Sequence, residues 1–329
     1  VRIVLTGING YIGSHLARRL LERGFSVIGI DLNDSNIKWF NDQDKFSFLK
    51  YDITNSRIHY GNIEDTDVLI HCAALIHRRS QDLSKSNYFK VNTQGTINIL
   101  AALNHKKLKQ IIFLSTVSVY GEGNRSAPAN ENTSVSPVDF YGQSKAEAEN
   151  YIMNYSQEKG INFTIFRLTP VYGKDFLMNL KKRVCLGNER LFFRIAKGNQ
   201  KMSLCSVNNV IDVVTSSIGN EACFNEIFIL SDRNNYQANE VIDAVKKILR
   251  RTKKRTYSIP LFLPEIILHC LSLAAPNAGK SLRYHFGKIA TDCVYSGDKL
   301  RSKGLATRWN LMNTLLDPAA SIVDGKTHF

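Results

Sequence analysis

Acidic residues are outnumbered, cysteines are few and no apolar run is long, and each shortage removes a class of protein. With 29 Asp and Glu against 43 Lys and Arg, the chain carries a formal charge of +14. That balance favours anionic partners, which include nucleic acid, a phosphate-rich membrane surface and a polyphosphorylated small ligand. Charge alone does not choose among the three. The six cysteines (Cys72, Cys185, Cys205, Cys223, Cys270 and Cys293) form no C-x-x-C pair and have no His partner at zinc spacing. Neither a disulfide framework nor a metal site is expected, and a reducing compartment fits best. The longest apolar stretch, Ile259 to Ala275, is shorter than the roughly 20 residues of a bilayer span, and Pro260, Pro264, Glu265 and His269 interrupt it. It is not expected to cross a membrane. The sequence opens directly into an apolar strand, with no basic segment leading into a signal-type apolar stretch. A cytoplasmic location is therefore expected, although Val1 need not be the natural start.

What is present is an ordinary globular composition, 43% hydrophobic and 22% charged over 329 residues, enough for one large domain and a smaller lobe. Short β-branched runs alternate with amphipathic stretches through the first half. The strands expected are Arg2 to Leu5, Ser26 to Ile30, Phe46 to Tyr51, Val68 to Cys72, Gln110 to Ser115 and Asn162 to Arg167; helices are expected at Ile12 to Arg23, Asn87 to Leu103 and Tyr141 to Lys159. This is the βαβ pattern of a parallel sheet. From about Leu177 the alternation loosens, with helices expected at Asn239 to Arg250 and after Pro264. The fold expected is α/β: a doubly wound Rossmann parallel sheet over 1–176, and a smaller C-terminal mixed α/β substrate lobe over 177–329. That boundary is approximate, and the chain is free to cross back over it.

Directly after the first strand, Thr6-Gly7-Ile8-Asn9-Gly10-Tyr11-Ile12-Gly13 is a G-x-x-G-x-x-G turn opening a helix. Glycines let the backbone approach a pyrophosphate, and the helix N-terminus supplies unpaired N–H groups and partial positive charge. Asp31 ends the second strand 18 residues after Gly13 (31 − 13), near the offset at which a carboxylate accepts the adenosine-ribose hydroxyls. Leu32 and Asn33 bring no cation to balance a ribose phosphate, so NAD is expected over NADP, with Asn33 counted among its contacts.

Tyr141 and Lys145 stand four residues apart at a helix start, on one face. A phenol with an ordinary pKa near 10 needs roughly 3 units of lowering to act as a base near neutrality, which a neighbouring ammonium and a cationic nicotinamide together can supply. The strand before it ends in Ser115-Thr116-Val117-Ser118-Val119-Tyr120-Gly121. Its hydroxyls lie at the carboxyl edge of a parallel sheet, where ligands of open α/β folds bind.

In order along nearly the whole chain, these features resemble the extended short-chain dehydrogenase/reductase family, in particular its nucleotide-sugar epimerases and dehydratases. The likeness takes in the glycine turn, Asp31, Tyr51-Asp52-Ile53, His71-Cys72-Ala73-Ala74, Asn92-Thr93-Gln94-Gly95-Thr96, the Thr116 run, Tyr141-x-x-x-Lys145 and Arg167-Leu168-Thr169-Pro170-Val171-Tyr172-Gly173. The family's hydroxyl residue stands 25 before the tyrosine, as Thr116 does (141 − 116). The resemblance implies that Tyr141 exchanges a proton with the substrate hydroxyl, that Lys145 holds the nicotinamide ribose, and that Thr116 bonds the same hydroxyl. It also implies cofactor contacts from Gly7, Asn9, Gly10, Tyr11, Ile12, Gly13, Asp52, Ile53, Ala73 and Pro170.

On the substrate side, the resemblance places Asn179 beside the diphosphate of a UDP-hexose or UDP-N-acetylhexosamine. The chain departs from UDP-galactose epimerases at Pro170, often asparagine there, and at Met202, often arginine. Lys201 and Arg283 are the substitutes expected. Dehydratases carry an Asp-Glu pair where this chain has Val117 and Ser118, so an NAD-dependent 4-epimerase is expected. A 4-keto-sugar reductase is the alternative, and a non-catalytic Rossmann subunit is disfavoured by the intact Thr116, Tyr141 and Lys145. A homodimer through the helices near 87–103 and 141–159 follows by analogy. The tract from Lys246 to Arg255, followed by the apolar stretch, could rest on an anionic membrane surface. No nucleic-acid motif accompanies the charge.

Overall fold

In the computed structural model the described residues are 1–35, 37–40, 43–56, 63–76, 84–121, 127–186, 189–262, 286–287 and 289–316. Six strands fall within a residue or two of their expected places: β1 (Arg2–Thr6), β2 (Ser26–Asp31), β3 (Phe46–Lys50), β4 (Val68–His71), β5 (Gln110–Thr116) and β6 (Asn162–Leu168). They form one parallel sheet in the order β3-β2-β1-β4-β5-β6, and Glu226–Leu230 pairs in parallel with β6 as a seventh strand. The winding reverses between β1 and β4. At such a switch point the connections leave on opposite faces and open a crevice at the strands' carboxyl ends.

Alternation along each strand feeds two apolar layers. Ile3, Leu5, Ile112 and Leu114 face one side, with α1 (Tyr11–Glu22) and the helix Val207–Ser217. Val4, Ile111 and Phe113 face the other, with Ile99, Leu100, Ala148 and Ile152 of the helices Gly95–Ala102 and Phe140–Lys159. The chain thus crosses the boundary at 176/177: helix Val207–Ser217 and strand Glu226–Leu230 belong to the Rossmann layers. The run Glu226–Leu230 follows a helix that the alternation did not reveal, and its place in the sheet is set by parallel pairing with β6.

The smaller lobe has its own core of Leu180, Val184, Phe192, Val241, Ile242, Val245, Leu311 and Leu315. A three-stranded sheet of Cys185–Leu186, Leu191–Ile195 and Thr256–Ile259 borders it. The helix expected at Asn239–Arg250 runs from Ala238 to Ile248; the one expected after Pro264 lies outside the described residues, as does Arg283. Among the described residues no helix is long and apolar enough to cross a membrane.

One expected helix is interrupted. Between Lys85 and Ala102 the chain makes a short α-turn, a π-helical stretch Phe89–Gln94, and then α-helix from Gly95. The widened turn is a local defect of the kind found at functional sites, and it points Asn92 at the Tyr-Lys helix.

Candidate active site

Gly7 takes φ +72°, and its N–H donates to the Ile30 carbonyl at 2.8 Å. A Cβ on Gly7 would lie 2.7 Å from the Ala73 nitrogen, and one on Gly13 would lie 2.1 Å from the Gly7 carbonyl oxygen. Neither position admits a side chain. Gly10 precedes α1, which has no acidic residue in its own first turn to compete for its positive end. The Asp31 carboxylate accepts the Asn9 N–H at 2.9 Å and the Leu32 N–H at 2.7 Å, while the Asn9 amide donates to the Asn33 carbonyl. Asp31 is thereby locked against the turn, and each of its oxygens keeps a further lone pair. The Tyr11 ring stacks on Phe176, with centroids 4.5 Å apart. Beyond β3, Asp52 Oδ1 accepts the Thr54 N–H at 2.8 Å, and Ile53 is buried against Gly95.

Beneath the turn a buried chain of hydrogen bonds fixes the end of β4. Thr96 Oγ1 donates its one proton to the Asn92 carbonyl at 2.6 Å, so at 3.0 Å it accepts from His71 Nε2. His71 Nδ1 is then the acceptor for the Thr6 hydroxyl at 2.6 Å, and Thr6 Oγ1 in turn accepts the Ala73 N–H at 3.2 Å. Burial, helped by the positive charge of Lys145, holds the imidazole neutral down to about 3. The residue before the expected cofactor contact Ala73 is Cys72, which is also close enough to Lys145 to feel its charge. The strand end therefore joins the glycine turn to the Tyr-Lys helix.

Thr116 is the last residue of β5. Its Oγ1 accepts the Ser118 N–H at 3.1 Å and shares a hydrogen bond with the Tyr141 hydroxyl. Tyr141 sits in the first turn of the helix Phe140–Lys159, whose N-cap Asp139 accepts the Gly142 N–H at 2.6 Å. One turn on, Lys145 is 1% exposed and its Nζ lies 3.8 Å from the centre of the Phe113 ring. Burial brings its ammonium down to about 7, with Glu149 pulling the other way. The phenol behaves differently from the sequence argument. Burial first, then Asp139, push Tyr141 above its ordinary range, and the Thr116 hydrogen bond offsets this only in part. The chain's own groups thus keep the phenol protonated.

Two supports escaped the sequence reading as site residues. The Asn92 amide donates to Ser144 Oγ at 2.9 Å and to the Leu75 carbonyl at 3.1 Å, and its oxygen accepts the Leu75 N–H at 2.7 Å. Glu149 and Arg167 form a buried pair at 2.7 Å; Ser115 also donates to Glu149, and Arg167 Nη1 donates to the Tyr120 hydroxyl at 2.8 Å. A glutamate four residues after Lys145 was the available signal, because i,i+4 spacing puts both on the buried face.

The substrate-side residues are less gathered. Pro170 gives its carbonyl to the Cys205 N–H at 3.1 Å, and the Asn179 amide donates to the Val171 carbonyl at 2.8 Å. Lys201 is exposed on a two-residue strand paired with Gln237.

Residues 3–225 match the NAD dependent epimerase/dehydratase family. The chain belongs to that family. The UDP-glucose 4-epimerase of Vibrio cholerae is 28% identical over 287 residues, covering 85% of this chain and 83% of the relative. The N-acetyl-alpha-D-glucosaminyl-diphospho-ditrans,octacis-undecaprenol 4-epimerase of Escherichia coli O157:H7 is 26% identical, covering 95% and 92%. Among solved structures, UDP-glucuronic acid 4-epimerase from Bacillus cereus in complex with NAD superposes with a TM-score of 0.73 at 20% identity, covering 98% of each chain. The chain is an NAD-dependent epimerase of the extended short-chain type, and NAD is its cofactor. The glycine cradle, which a single Cβ would fill, and the Asp31 carboxylate locked beside it fit that dinucleotide.

Proposed function

We propose that this epimerase inverts C4 of a UDP-hexose or UDP-N-acetylhexosamine. The observation that carries the reading is the Thr116-Tyr141 hydrogen bond with a buried Lys145 one turn away, at the sheet edge that also carries the glycine turn. In this reading α1 and its glycines receive the cofactor's diphosphate, Asp31 and Asn33 the adenosine ribose, and Lys145 the nicotinamide ribose. NAD supplies the hydride acceptor and donor. Tyr141 takes the 4-hydroxyl proton and later returns it, while Thr116 holds that oxygen in line. The keto sugar turns over between the two transfers. Relatives named for UDP-glucose and for a diphospho-undecaprenol-linked N-acetylglucosamine support the substrate class, and Asn179 is the residue assigned to the diphosphate. A homodimer in the cytoplasm belongs to the same proposal, and a mass measurement in solution tests it.

The protein, purified with its own NAD, is incubated with UDP-glucose, UDP-galactose and their N-acetyl forms carrying deuterium at C4. Interconversion of at least one pair with retention of label is expected. Stoichiometric consumption of added NADPH on a 4-keto-6-deoxy sugar, with silence on the hydroxylated pairs, would replace the epimerase by a reductase.

A further inference from the structure

The three-stranded sheet of the smaller lobe has two unlike faces. Phe192 and Cys185 turn inward to the lobe core. The register places Leu186 opposite Leu191, Tyr257 opposite Phe193 and Ile259 opposite Ile195, so the outer face is apolar throughout. Phe193 and Ile195 on that face are covered by Ala290, with Phe286 and Ile289 beside it. Among the described residues the rest has no such cover: Leu186 is 52% exposed, Leu191 48%, Tyr257 49% and, just past the strand, Phe262 59%.

The stretch leading onto this face is strongly basic. From Lys246 to Phe262 there are seven Lys and Arg and no Asp or Glu. Lys246 is not part of a surface stripe, contrary to the sequence reading: it is buried, and its Nζ donates to the Lys254 carbonyl at 2.6 Å and to Thr256 Oγ1 at 2.7 Å. Arg251 likewise donates to the Glu189 carbonyl at 2.8 Å. These two brace the turn that presents Arg250, Lys253, Lys254 and Arg255 to solvent, with the Arg255 guanidinium 5.5 Å from the centre of the Tyr257 ring. Arg190 is exposed next to Leu191 on the neighbouring strand.

We infer that this face docks on an anionic phospholipid surface. Exposed leucine and aromatic side chains enter the acyl boundary while the cations beside them meet lipid phosphate. A second copy of the chain is a poor occupant, because self-apposition would set the cations of one copy against those of the other. The inference does not rest on which sugar the site turns over.

The test is co-sedimentation of the full-length, NAD-loaded protein with vesicles of 70% phosphatidylcholine and 30% phosphatidylglycerol, alongside pure phosphatidylcholine vesicles. Sedimentation with the anionic vesicles only, reversed by about 0.5 M salt, is expected. The triple variant Lys253→Glu, Lys254→Glu, Arg255→Glu alters only exposed residues. It should lose at least tenfold in vesicle partitioning while keeping its NAD content and its turnover of a soluble sugar nucleotide. The variant Leu191→Ser, Tyr257→Ser should lose several-fold and keep the salt dependence. Failure of the wild type to sediment with anionic vesicles, or sedimentation unchanged in the charge variant, overturns the inference. Salt-reversible binding that ignores the Leu191 and Tyr257 substitutions overturns its apolar half and leaves a purely electrostatic polyanion site.

Discussion

Single atoms decide the chemistry at this site. The Tyr141 hydroxyl is held by Thr116 in surroundings that favour its protonated form, so its removal takes away the proposed proton carrier and little else. Tyr141→Phe should lower kcat by about two orders of magnitude or more with NAD affinity within a few fold; near-normal turnover would refute the assignment. Asp31 is held by two backbone N–H groups against the cofactor turn. Asp31→Ala deletes a ribose acceptor and a charge that repels a ribose phosphate, so NAD binding should weaken and the preference over NADP should narrow. Titration of both dinucleotides against wild type and variant reads this directly.

Among the elements, the end of β4 and the π-helical turn are what bring the cofactor cradle and the Tyr-Lys helix into register. His71 is the hinge of that arrangement, donating through Nε2 and accepting through Nδ1. A proton on Nδ1 would break the bond from Thr6. Because the folded imidazole titrates near 3 and an unfolded one near 6.5, the stability that neutral His71 contributes is complete above pH 6.5 and is lost as pH falls toward 3. His71→Gln keeps a donor and cannot titrate. The difference in unfolding free energy between wild type and this variant should therefore shrink as pH falls from 6.5, with a slope approaching about 1.4 kcal/mol per pH unit. Parallel pH curves for the two proteins would show that the ring charges without cost.

Across the whole molecule, Asp232 is where the layers meet. Its buried carboxylate accepts the Ser206 N–H and the Asn209 amide, both at 2.7 Å, and the hydroxyls of Tyr172 at 2.6 Å and Tyr236 at 2.9 Å. Tyr236 in turn accepts the Leu311 N–H at 3.0 Å, and Asn209 bonds both backbone groups of Trp309. The segment 309–315 is thereby tied to the Rossmann layers and to the smaller core. Asp232→Ala orphans these donors and should cost about 2–4 kcal/mol of unfolding free energy, with faster amide exchange at Leu311. Asp232→Asn retains an acceptor oxygen and should cost less. Equal losses in the two variants would assign the effect to packing alone.

The sequence by itself determined the parallel sheet, and it placed the glycine turn and the Tyr141-Lys145 spacing on which the proposed chemistry rests, because each follows local rules. Strand alternation, a glycine turn at a strand end and i,i+4 spacing are all legible without knowing what lies across the chain. It quoted Asn92 and Arg167 within motifs without revealing their use and passed over Glu149, since those bonds span 17 to 52 residues. Only the tertiary structure decided that residues 226–230 complete the sheet, that Lys246 is buried under its own basic tract and that one Asn179 amide hydrogen goes to the Val171 carbonyl. It also reversed the direction in which the protein alone shifts Tyr141. Burial is a property of the packed molecule, and its energetic weight on a phenol or an ammonium exceeds anything that the spacing of charges along the chain discloses.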